Sequence, residues 1–304
     1  MKLSVVTTLY KSERFVKEFY DRVLKVVLEI TNDYEIIFVN DGSPDNSNEQ
    51  VLFLRDSDPN VKLIELSRNF GHHKAVMTGL NYATGDFIYL LDIDLEEPPE
   101  ILTKFYSSLV SNKVDVIYGV QEKRKGAFFE KITGKFFYKM FNWMSEIPIE
   151  ENILMARLMS KDYVNSLQKY KEKELFLGGV FAMVGYKQLS IPINKGSRPD
   201  TTYTFKKKMS LLVNAITSTS NRLLIYVFYL GLIVSLTSFI GIIYFIIRAV
   251  FYKDYLSGWP SLIISIWFLS GLIIISIGVL GIYLSKIFNE VKQRPLTIIQ
   301  KTHE

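Results

Sequence analysis

The chain has 304 residues, a net charge of +5 and no cysteine, which excludes disulfides, thiolate zinc sites and a cysteine nucleophile. This length allows one large or two modest domains, and the small positive charge fits anionic lipid, nucleotide phosphates or no charged partner at all. The N-terminus is too short and too β-branched for a signal peptide, so we expect the first domain to stay in the cytoplasm.

Strand-like and helix-like segments alternate over the first 120 or so residues. This alternation predicts a doubly wound α/β sheet. We expect helices over residues 15–30 and 74–83, and strands over residues 3–7, 34–39, 61–66, 87–91 and 114–118.

An acidic stretch follows the fourth predicted strand, at Asp92 and Asp94, and leads into Pro98 and Pro99, which suit the first turn of a helix. Residues i and i+2 of an extended chain point to the same side, so the two carboxylates can share one partner. A hard divalent cation, Mg²⁺ or Mn²⁺, bridging to phosphates is the obvious candidate. An isolated D-x-D also fits an acidic turn that merely ends a strand.

Polar residues follow the other strands too, and we expect them to converge on one edge of the sheet: Thr8, Tyr10, Asp41, Arg68 and Gln121. The lack of G-x-G-x-x-G and P-loop motifs favours a mononucleotide diphosphate over a dinucleotide. Asp41 can accept from a base N–H or form an Asx turn, and Arg68 and Lys74 can reach phosphates. His72 and His73 make a poor metal site and are interpreted as a solvated or phosphate-facing pair.

Several motifs resemble the family-2 glycosyltransferases of GT-A fold, above all Asp41-Gly-Ser, Ser67-Arg-Asn-Phe-Gly71, Asp92-x-Asp94-Leu-x-x-Pro-Pro-Glu100 and, near the C-terminus, Glu290-Val-Lys-x-Arg294-Pro-Leu. The match is closest to polyprenyl-phosphate hexosyltransferases related to dolichol-phosphate mannose synthase and the bacterial bactoprenol glucosyltransferases. The resemblance implies a Rossmann-like nucleotide-sugar-binding domain with Asp92 and Asp94 as catalytic residues and a metal held by Asp94, Asp92 and Glu96. It implies donor contacts from Thr8, Leu9, Tyr10, Asp41, Arg68, Lys74, Asp92 and Ile93.

Two departures from this family bear on the chemistry. Where the family usually has Pro-x-Tyr-Asn-Glu after the first strand, this chain reads Thr8-Leu-Tyr-Lys-Ser-Glu13, so base recognition can differ from the usual uridine site. The family's Gly-Asp-Phe is replaced by Leu154-Met155-Ala156, so the carboxylate often proposed as acceptor base is missing. Glu150 and Glu151 are its nearest substitutes.

Two uncharged stretches, residues 223–247 and 255–285, are each long enough to cross a hydrocarbon core of about 30 Å. We therefore expect two transmembrane helices, at about 223–250 and 260–285. Lysine and arginine flank the outer ends of this pair more than the segment between them, which predicts cytoplasmic termini. The chain then divides into a cytoplasmic domain, 1–210, and a membrane domain, 211–304, with a cytoplasmic tail, in a multi-pass protein of the inner (plasma) membrane.

The pattern of residues 128–144 predicts an amphipathic helix with a basic stripe. Such a helix suits either an anionic membrane surface or packing on a core. Basic residues before the first span predict contact with lipid head groups or an acceptor phosphate. The acceptor-phosphate candidates are Arg124, Lys125 and Arg198, and the family position of Arg198 also makes it a catalytic candidate. Glycines in the second span suggest a homo-oligomer, and no nucleic-acid partner is expected.

Together these expectations describe inverting transfer of one hexosyl unit from a UDP- or dTDP-type sugar to polyprenyl (undecaprenyl) phosphate at the cytoplasmic face, for cell-surface polysaccharide modification or assembly. One alternative is a processive polysaccharide synthase, although the Arg-Trp of its usual Gln-x-x-Arg-Trp motif is absent from this sequence. The other is a non-catalytic membrane scaffold that binds nucleotide sugar, motivated by the missing carboxylate.

Overall fold

The computed structural model describes residues 1–121, 139–144, 150, 152–173, 176–193, 213, 216–217, 220–247, 251 and 258–304. The strands are β1 (Leu3–Leu9), β2 (Tyr34–Asn40), β3 (Val61–Leu66), β4 (Phe87–Leu90), β5 (Val116–Gln121), β6 (Ile153–Ser160), β7 (Gln188–Ile193) and β8 (Ile299–His303). The helices are α1 (Glu13–Leu28), α2 (Ser47–Ser57), α3 (His72–Tyr82), α4 (Ile101–Asn112), α5 (Lys161–Leu167), α6 (Leu177–Met183), α7 (Arg222–Ile247) and α8 (Trp259–Val291).

In the part of the chain that the structure describes, eight strands form one sheet in the order β7-β5-β6-β4-β1-β2-β3-β8. Strands β1 to β4 are parallel, which confirms the α/β fold and its Rossmann-like core. The whole sheet is mixed, because β6, a strand that the sequence analysis did not predict, runs antiparallel between β4 and β5. β5 therefore does not lie beside β4.

Both faces of the inner strands are apolar, so helices cover the sheet on both sides. One core cluster joins α1, α2 and α4 to the sheet, and a second joins α3, α5 and α6 to its other face. Helix α3 lies especially close to the sheet, since a Cβ on Gly79 would be 2.5 Å from Val6 Cγ1 and 2.9 Å from Val39 Cγ2. This close approach fixes the N-terminus of α3 beside the carboxyl ends of β1 and β2.

Helix α8 contains a stretch, residues 265–291, that is long and apolar enough to cross a membrane, and no other helix among the described residues meets that test. Large apolar side chains on it, such as Trp267 and Ile274, are exposed, which suits a lipid environment. Residues 222–238 of α7 form a shorter apolar stretch, and the prediction of two transmembrane helices stays a prediction.

The ends of α7 and α8 meet at the α/β domain. Tyr283, in the last third of α8, donates a hydrogen bond of 2.7 Å to the Ser220 carbonyl, just before α7 begins. The Tyr226 ring of α7 stacks on Trp143 with centroids 4.8 Å apart, and Arg222 Nη1 donates to the Trp143 carbonyl at 2.9 Å. The N-terminus of α7 and the C-terminal part of α8 therefore lie next to each other.

The residue 139–144 segment is helical, as expected for the end of the amphipathic stretch. Its Phe141 and Met144 are buried in a small cluster with Ile216, so this part of the helix packs on a core. The rest of the predicted amphipathic helix lies outside the described residues, as do Arg124, Lys125, Glu151 and Arg198.

Candidate active site

The loop after β4 carries the two carboxylates that the sequence singles out. The Leu91 amide still donates to the Val6 carbonyl at 3.2 Å, so Asp92 begins the loop where sheet pairing ends. Asp94 Oδ1 accepts from the Glu96 amide at 3.1 Å. Leu95, which lies between Asp94 and Glu96, has φ +60°. Bulky residues seldom adopt this left-handed conformation, and here it turns the chain sharply. Asp92 and Asp94 thus lie at the carboxyl end of the strand, where parallel sheets bind ligands.

His72, the first residue of α3, lies between β1 and the acidic loop. Its Nδ1 is 3.0 Å from Thr8 Oγ1, and its Nε2 is 3.5 Å from Asp92 Oδ1. Both contacts are satisfied when Thr8 donates to Nδ1 and the Nε2 proton faces Asp92. Partial desolvation lowers the pKa of His72, whose side chain is 42% exposed, against the opposing charges of Asp41 and Asp94. His72 therefore links the end of β1 to Asp92, a role that its interpretation from sequence did not include.

Asp41, at the end of β2, joins two loops. Its Oδ1 accepts from the Phe70 amide at 2.6 Å and its Oδ2 from the Gly71 amide at 3.0 Å. The loops are in such close contact that a Cβ on Gly42 would be 2.5 Å from the Arg68 carbonyl carbon. Burial raises the pKa of Asp41, although these two bonds oppose the shift. Each carboxylate oxygen can still accept a second hydrogen bond, so contact with a nucleobase stays a prediction.

The other residues predicted to bind the sugar donor differ in how exposed they are at this edge of the sheet. Arg68 is exposed, and its guanidinium lies over the Phe70 ring at 4.0 Å. Lys74 is in the first turn of α3 and partly buried. The side chains of Leu9 and Ile93 are buried in the core, so only their backbone is available to a ligand.

Tyr10 is 48% exposed beyond the end of β1. The next residue, Lys11, has φ +55°, and its amide donates to Ser43 Oγ at 2.7 Å. The segment after β1 is thereby joined to the loop after β2.

A buried carboxylate, Glu97, connects the acidic loop to β6. It accepts from the Ala156 amide at 2.6 Å and from the Met155 amide at 3.3 Å. Next to it in β6, Arg157 is buried with its guanidinium 3.4 Å from the Phe181 ring centroid. Burial lowers the pKa of Arg157 to about 10, against the opposing effect of Tyr163 and Glu97, so the guanidinium keeps its charge at neutral pH. No role for Glu97 is predicted from the sequence.

Glu150, one of the two predicted substitutes for the missing base, is held by hydroxyl groups. Tyr118 donates to its Oε2 at 2.7 Å and Ser190 to its Oε1 at 3.2 Å. Burial and the bond to Glu150 raise the pKa of Tyr118 to about 12, so this hydroxyl stays protonated. Met155, where the family carries its Asp, packs partly buried against the core.

The donor set fits a metal that arrives with a diphosphate. Among the residues that the structure describes, no group of three or more His, Asp or Glu side chains could hold a metal ion. Mg²⁺ typically takes one or two protein carboxylates and completes its shell with substrate phosphates and water. Asp92 and Asp94 supply that number of carboxylates at the edge where the phosphates of a nucleotide would lie.

The βα units, the mixed sheet and the carboxylates after β4 define a Rossmann-like GT-A fold. Residues 4–176 match the family Glycosyl transferase family 2, and the chain belongs to this family. The family resemblance seen in the motifs is thereby confirmed, and the protein is a glycosyltransferase.

Two related sequences align with almost the whole of this chain. It is 46% identical over 303 residues to a protein described as "Putative glycosyltransferases" from Mycobacterium tuberculosis (strain CDC 1551 / Oshkosh), covering 100% of this chain and 89% of that one. It is 33% identical over 303 residues to the "Prophage bactoprenol glucosyl transferase homolog" of Escherichia coli (strain K12), covering 99% of each. Among solved structures, the mannosyltransferase PcManGT from Pyrobaculum calidifontis in complex with GDP-Man and Mn²⁺ aligns with TM-score 0.49 and 15% identity over 71% of this chain and 63% of that one.

Proposed function

We propose that the protein transfers a single hexosyl unit, with inversion, from a UDP- or dTDP-type sugar to polyprenyl (undecaprenyl) phosphate at the cytoplasmic face of the plasma membrane. The observation that carries this proposal is the 33% identity to a bactoprenol glucosyl transferase homologue over 99% of both chains, α7 and α8 included. The product would serve cell-surface polysaccharide modification or assembly.

The membrane part supports a lipid acceptor. Exposed apolar side chains cover α8, and the end of α8 is attached to the α/β domain through contacts such as the Glu290 Oε1 that accepts from the Lys173 amide at 2.6 Å. Two transmembrane helices would then hold the sheet close to the head groups, where a polyprenyl phosphate presents its phosphate. We propose Arg124, Lys125 and Arg198 as the residues that receive this phosphate, because charged donors pair well with phosphate oxygens.

At the donor, the loops joined by Asp41 would hold the nucleotide, and Arg68 and Lys74 its phosphates. Asp92 and Asp94, with Glu96 nearby, would hold Mg²⁺ or Mn²⁺, which neutralises charge on the leaving diphosphate. His72 keeps Asp92 in place through its Nε2. The acceptor phosphate oxygen attacks the anomeric carbon from the face opposite the leaving group, which inverts the configuration.

The test uses the full-length protein in detergent with undecaprenyl phosphate and labelled UDP- and dTDP-hexoses, with Mn²⁺ present. We expect one labelled hexose per lipid, with inverted anomeric configuration, and no transfer to unphosphorylated undecaprenol. Longer glycans would instead support a processive synthase. Nucleotide-sugar binding without any transfer would support a scaffold.

A phosphate acceptor removes the need for a general base. Its second pKa is about 6, so at neutral pH it already carries a nucleophilic oxygen, whereas a sugar hydroxyl must lose a proton during attack. Both oxygens of the Glu150 carboxylate already accept hydrogen bonds, from Tyr118 and Ser190. We therefore expect Glu150→Gln to lower kcat by less than about threefold. We expect Arg198→Ala to lower kcat/KM by at least about tenfold.

Initial rates across pH 5 to 8 check this expectation, and the rate should rise through about pH 6 and then level off. A thousandfold loss in Glu150→Gln or Glu151→Gln, with donor binding intact, would show that a general base sits in this loop.

We expect His72→Ala to lower kcat/KM for transfer about tenfold, because Asp92 loses the imidazole that lies 3.5 Å from its carboxylate and holds it at the metal position. His73→Ala is the matched control, as it removes the adjacent imidazole and leaves the Thr8–His72–Asp92 contacts intact. Steady-state kinetics of the two variants measure the difference. Equal rates for His72→Ala and the unaltered protein would contradict the role of His72.

We expect the segment between α7 and α8 to lie outside the cytoplasm. The chain has no cysteine, so a cysteine introduced at Ser257 is unique. It should react with a membrane-impermeant maleimide added to the outside of the inner membrane, whereas Glu304→Cys should be protected. Protection at 257 with labelling at 304 would reverse the orientation.

A further inference from the structure

The segment that follows α8 returns to the α/β domain and becomes the outer strand of its sheet. β8 pairs antiparallel with β3, with Leu63 opposite His303 and Leu66 opposite Ile299. Just before β8, the Ile298 carbonyl accepts from the Ser67 amide at 2.9 Å. Ser67 directly precedes Arg68, so the C-terminal segment is bonded to the start of the loop that carries Arg68 to Gly71.

A chain of side-chain hydrogen bonds leads from β8 to the loop after β2. His303 Nε2 is 2.6 Å from Glu65 Oε1, and Asn48 Nδ2 donates to Glu65 Oε2 at 2.6 Å. Asn40 Nδ2 donates to Asn48 Oδ1 at 2.5 Å, and Asn40 Oδ1 accepts from the Ser43 amide at 2.7 Å. The side chains of His303 and Glu65 are only 13% and 20% exposed, so water competes little for their bond.

A second connection leads from the same segment to α3. Thr297 Oγ1 lies 2.8 Å from Thr78 Oγ1, and the Thr78 hydroxyl donates to the Lys74 carbonyl at 2.9 Å. Leu296 and Ile299, on either side of Thr297, pack against the core cluster that contains α3. The first turn of α3 is therefore bonded, through two hydroxyl groups, to the tail of the membrane helix.

We propose that residues 297–303 form a positioning element for the nucleotide-binding loops, 41–43 and 67–71, with Glu65, Asn48 and Thr297 as positioning residues. The inference rests on the proposed function, in which those loops bind a nucleoside diphosphate. Loops that are already hydrogen-bonded lose less conformational entropy when the donor binds, so these contacts strengthen donor binding without touching the donor. They also join the donor site to the helix that anchors the protein.

The experiment breaks the hydrogen bond between Asn48 and Glu65 and then restores it with its donor and acceptor exchanged. Calorimetry with the intact chain measures the Kd for UDP and for dTDP in the presence of Mn²⁺. Asn48→Asp places a second carboxylate against Glu65, and we expect Kd to rise about tenfold. Adding Glu65→Gln restores the bond with donor and acceptor exchanged, because the new amide can donate to the new carboxylate while its oxygen still faces His303. The double variant should bind within about twofold of the unaltered protein.

Two threonines in the tail give a matched pair. Thr297→Val removes the hydroxyl that contacts Thr78, and we expect Kd to rise about threefold. Thr302→Val makes the same change at an exposed side chain of β8 that belongs to neither hydrogen-bonded connection, and we expect Kd to be unchanged. Melting temperatures of all variants separate a general loss of stability from a change confined to binding.

The outcomes distinguish the inference from the proposed function. If the unaltered protein binds neither UDP nor dTDP, the proposed donor class is wrong and the inference is wrong with it. If it binds one of them and Asn48→Asp binds equally well, the inference alone is overturned. A fall in melting temperature and affinity that Glu65→Gln does not reverse would likewise overturn it, since the contacts would then be ordinary contacts of the fold.

Discussion

Asp94→Asn is expected to reduce hexosyl transfer about a thousandfold while leaving the fold intact. The new side chain has the same shape, and its Oδ1 can still accept from the Glu96 amide, so the turn after Asp94 keeps its geometry. What is lost is the negative charge, and hard divalent cations depend on carboxylate ligands. The effect therefore falls on charge neutralisation at the leaving diphosphate.

Initial rates at saturating donor, with Mg²⁺ or Mn²⁺ supplied, measure this loss. Asp86→Asn is the matched control, because Asp86 precedes β4 at the opposite end and its Oδ2 accepts from the Lys2 amide at 2.8 Å, a bond that an amide oxygen can also accept. We expect this variant to transfer at close to the unaltered rate. Full turnover in excess chelator would contradict the metal assignment.

Glu97→Ala is expected to destabilise the protein by about 3 kcal/mol or more. The change leaves the buried amides of Met155 and Ala156 without their acceptor and removes the carboxylate that lies near the buried charge of Arg157. An unsatisfied buried polar group and an uncompensated buried charge are among the costliest single changes a fold can suffer.

The midpoint of thermal unfolding in detergent measures this effect and should fall by at least about 6 °C. Glu100→Ala is the control, since Glu100 also accepts two hydrogen bonds, both from Arg22, but is 51% exposed. An exposed ion pair contributes at most about 1 kcal/mol, so its loss should shift the midpoint far less. Equal shifts in the two variants would show that the Glu97 contacts are not the cause.

The parallel core was predictable because its signals are local. Strands β1 to β4 are short apolar runs that end at polar residues, and β3 was predicted with its exact bounds. β6 was not predicted, since Arg157 interrupts its apolar run. Its guanidinium is accommodated by tertiary contacts such as the Phe181 ring and by the Leu154 carbonyl within β6 itself. β8, a mostly polar segment, has no strand pattern of its own and is a strand only because β3 offers an unpaired edge.

In the candidate site, too, features with a local sequence signal could be predicted, and features that depend on contacts between distant residues could not. The position of Asp92 and Asp94 at the carboxyl end of a strand could be predicted, because both residues directly follow one apolar run. The bridge made by His72 could not, because it joins residues from three elements that are far apart in the chain. Glu97, in an acidic run before two prolines, looks like a surface charge, and it is buried only because the amides of β6 lie over it.

The pairing of β8 with β3 also has a consequence for biosynthesis. β8 leaves the ribosome only after α7 and α8 have been made, because it follows both helices in the chain. Until then the outer edge of β3 presents unpaired amides and carbonyls, the kind of edge that recruits strands from other chains. The sheet therefore reaches its final order only after both apolar helices have been synthesised.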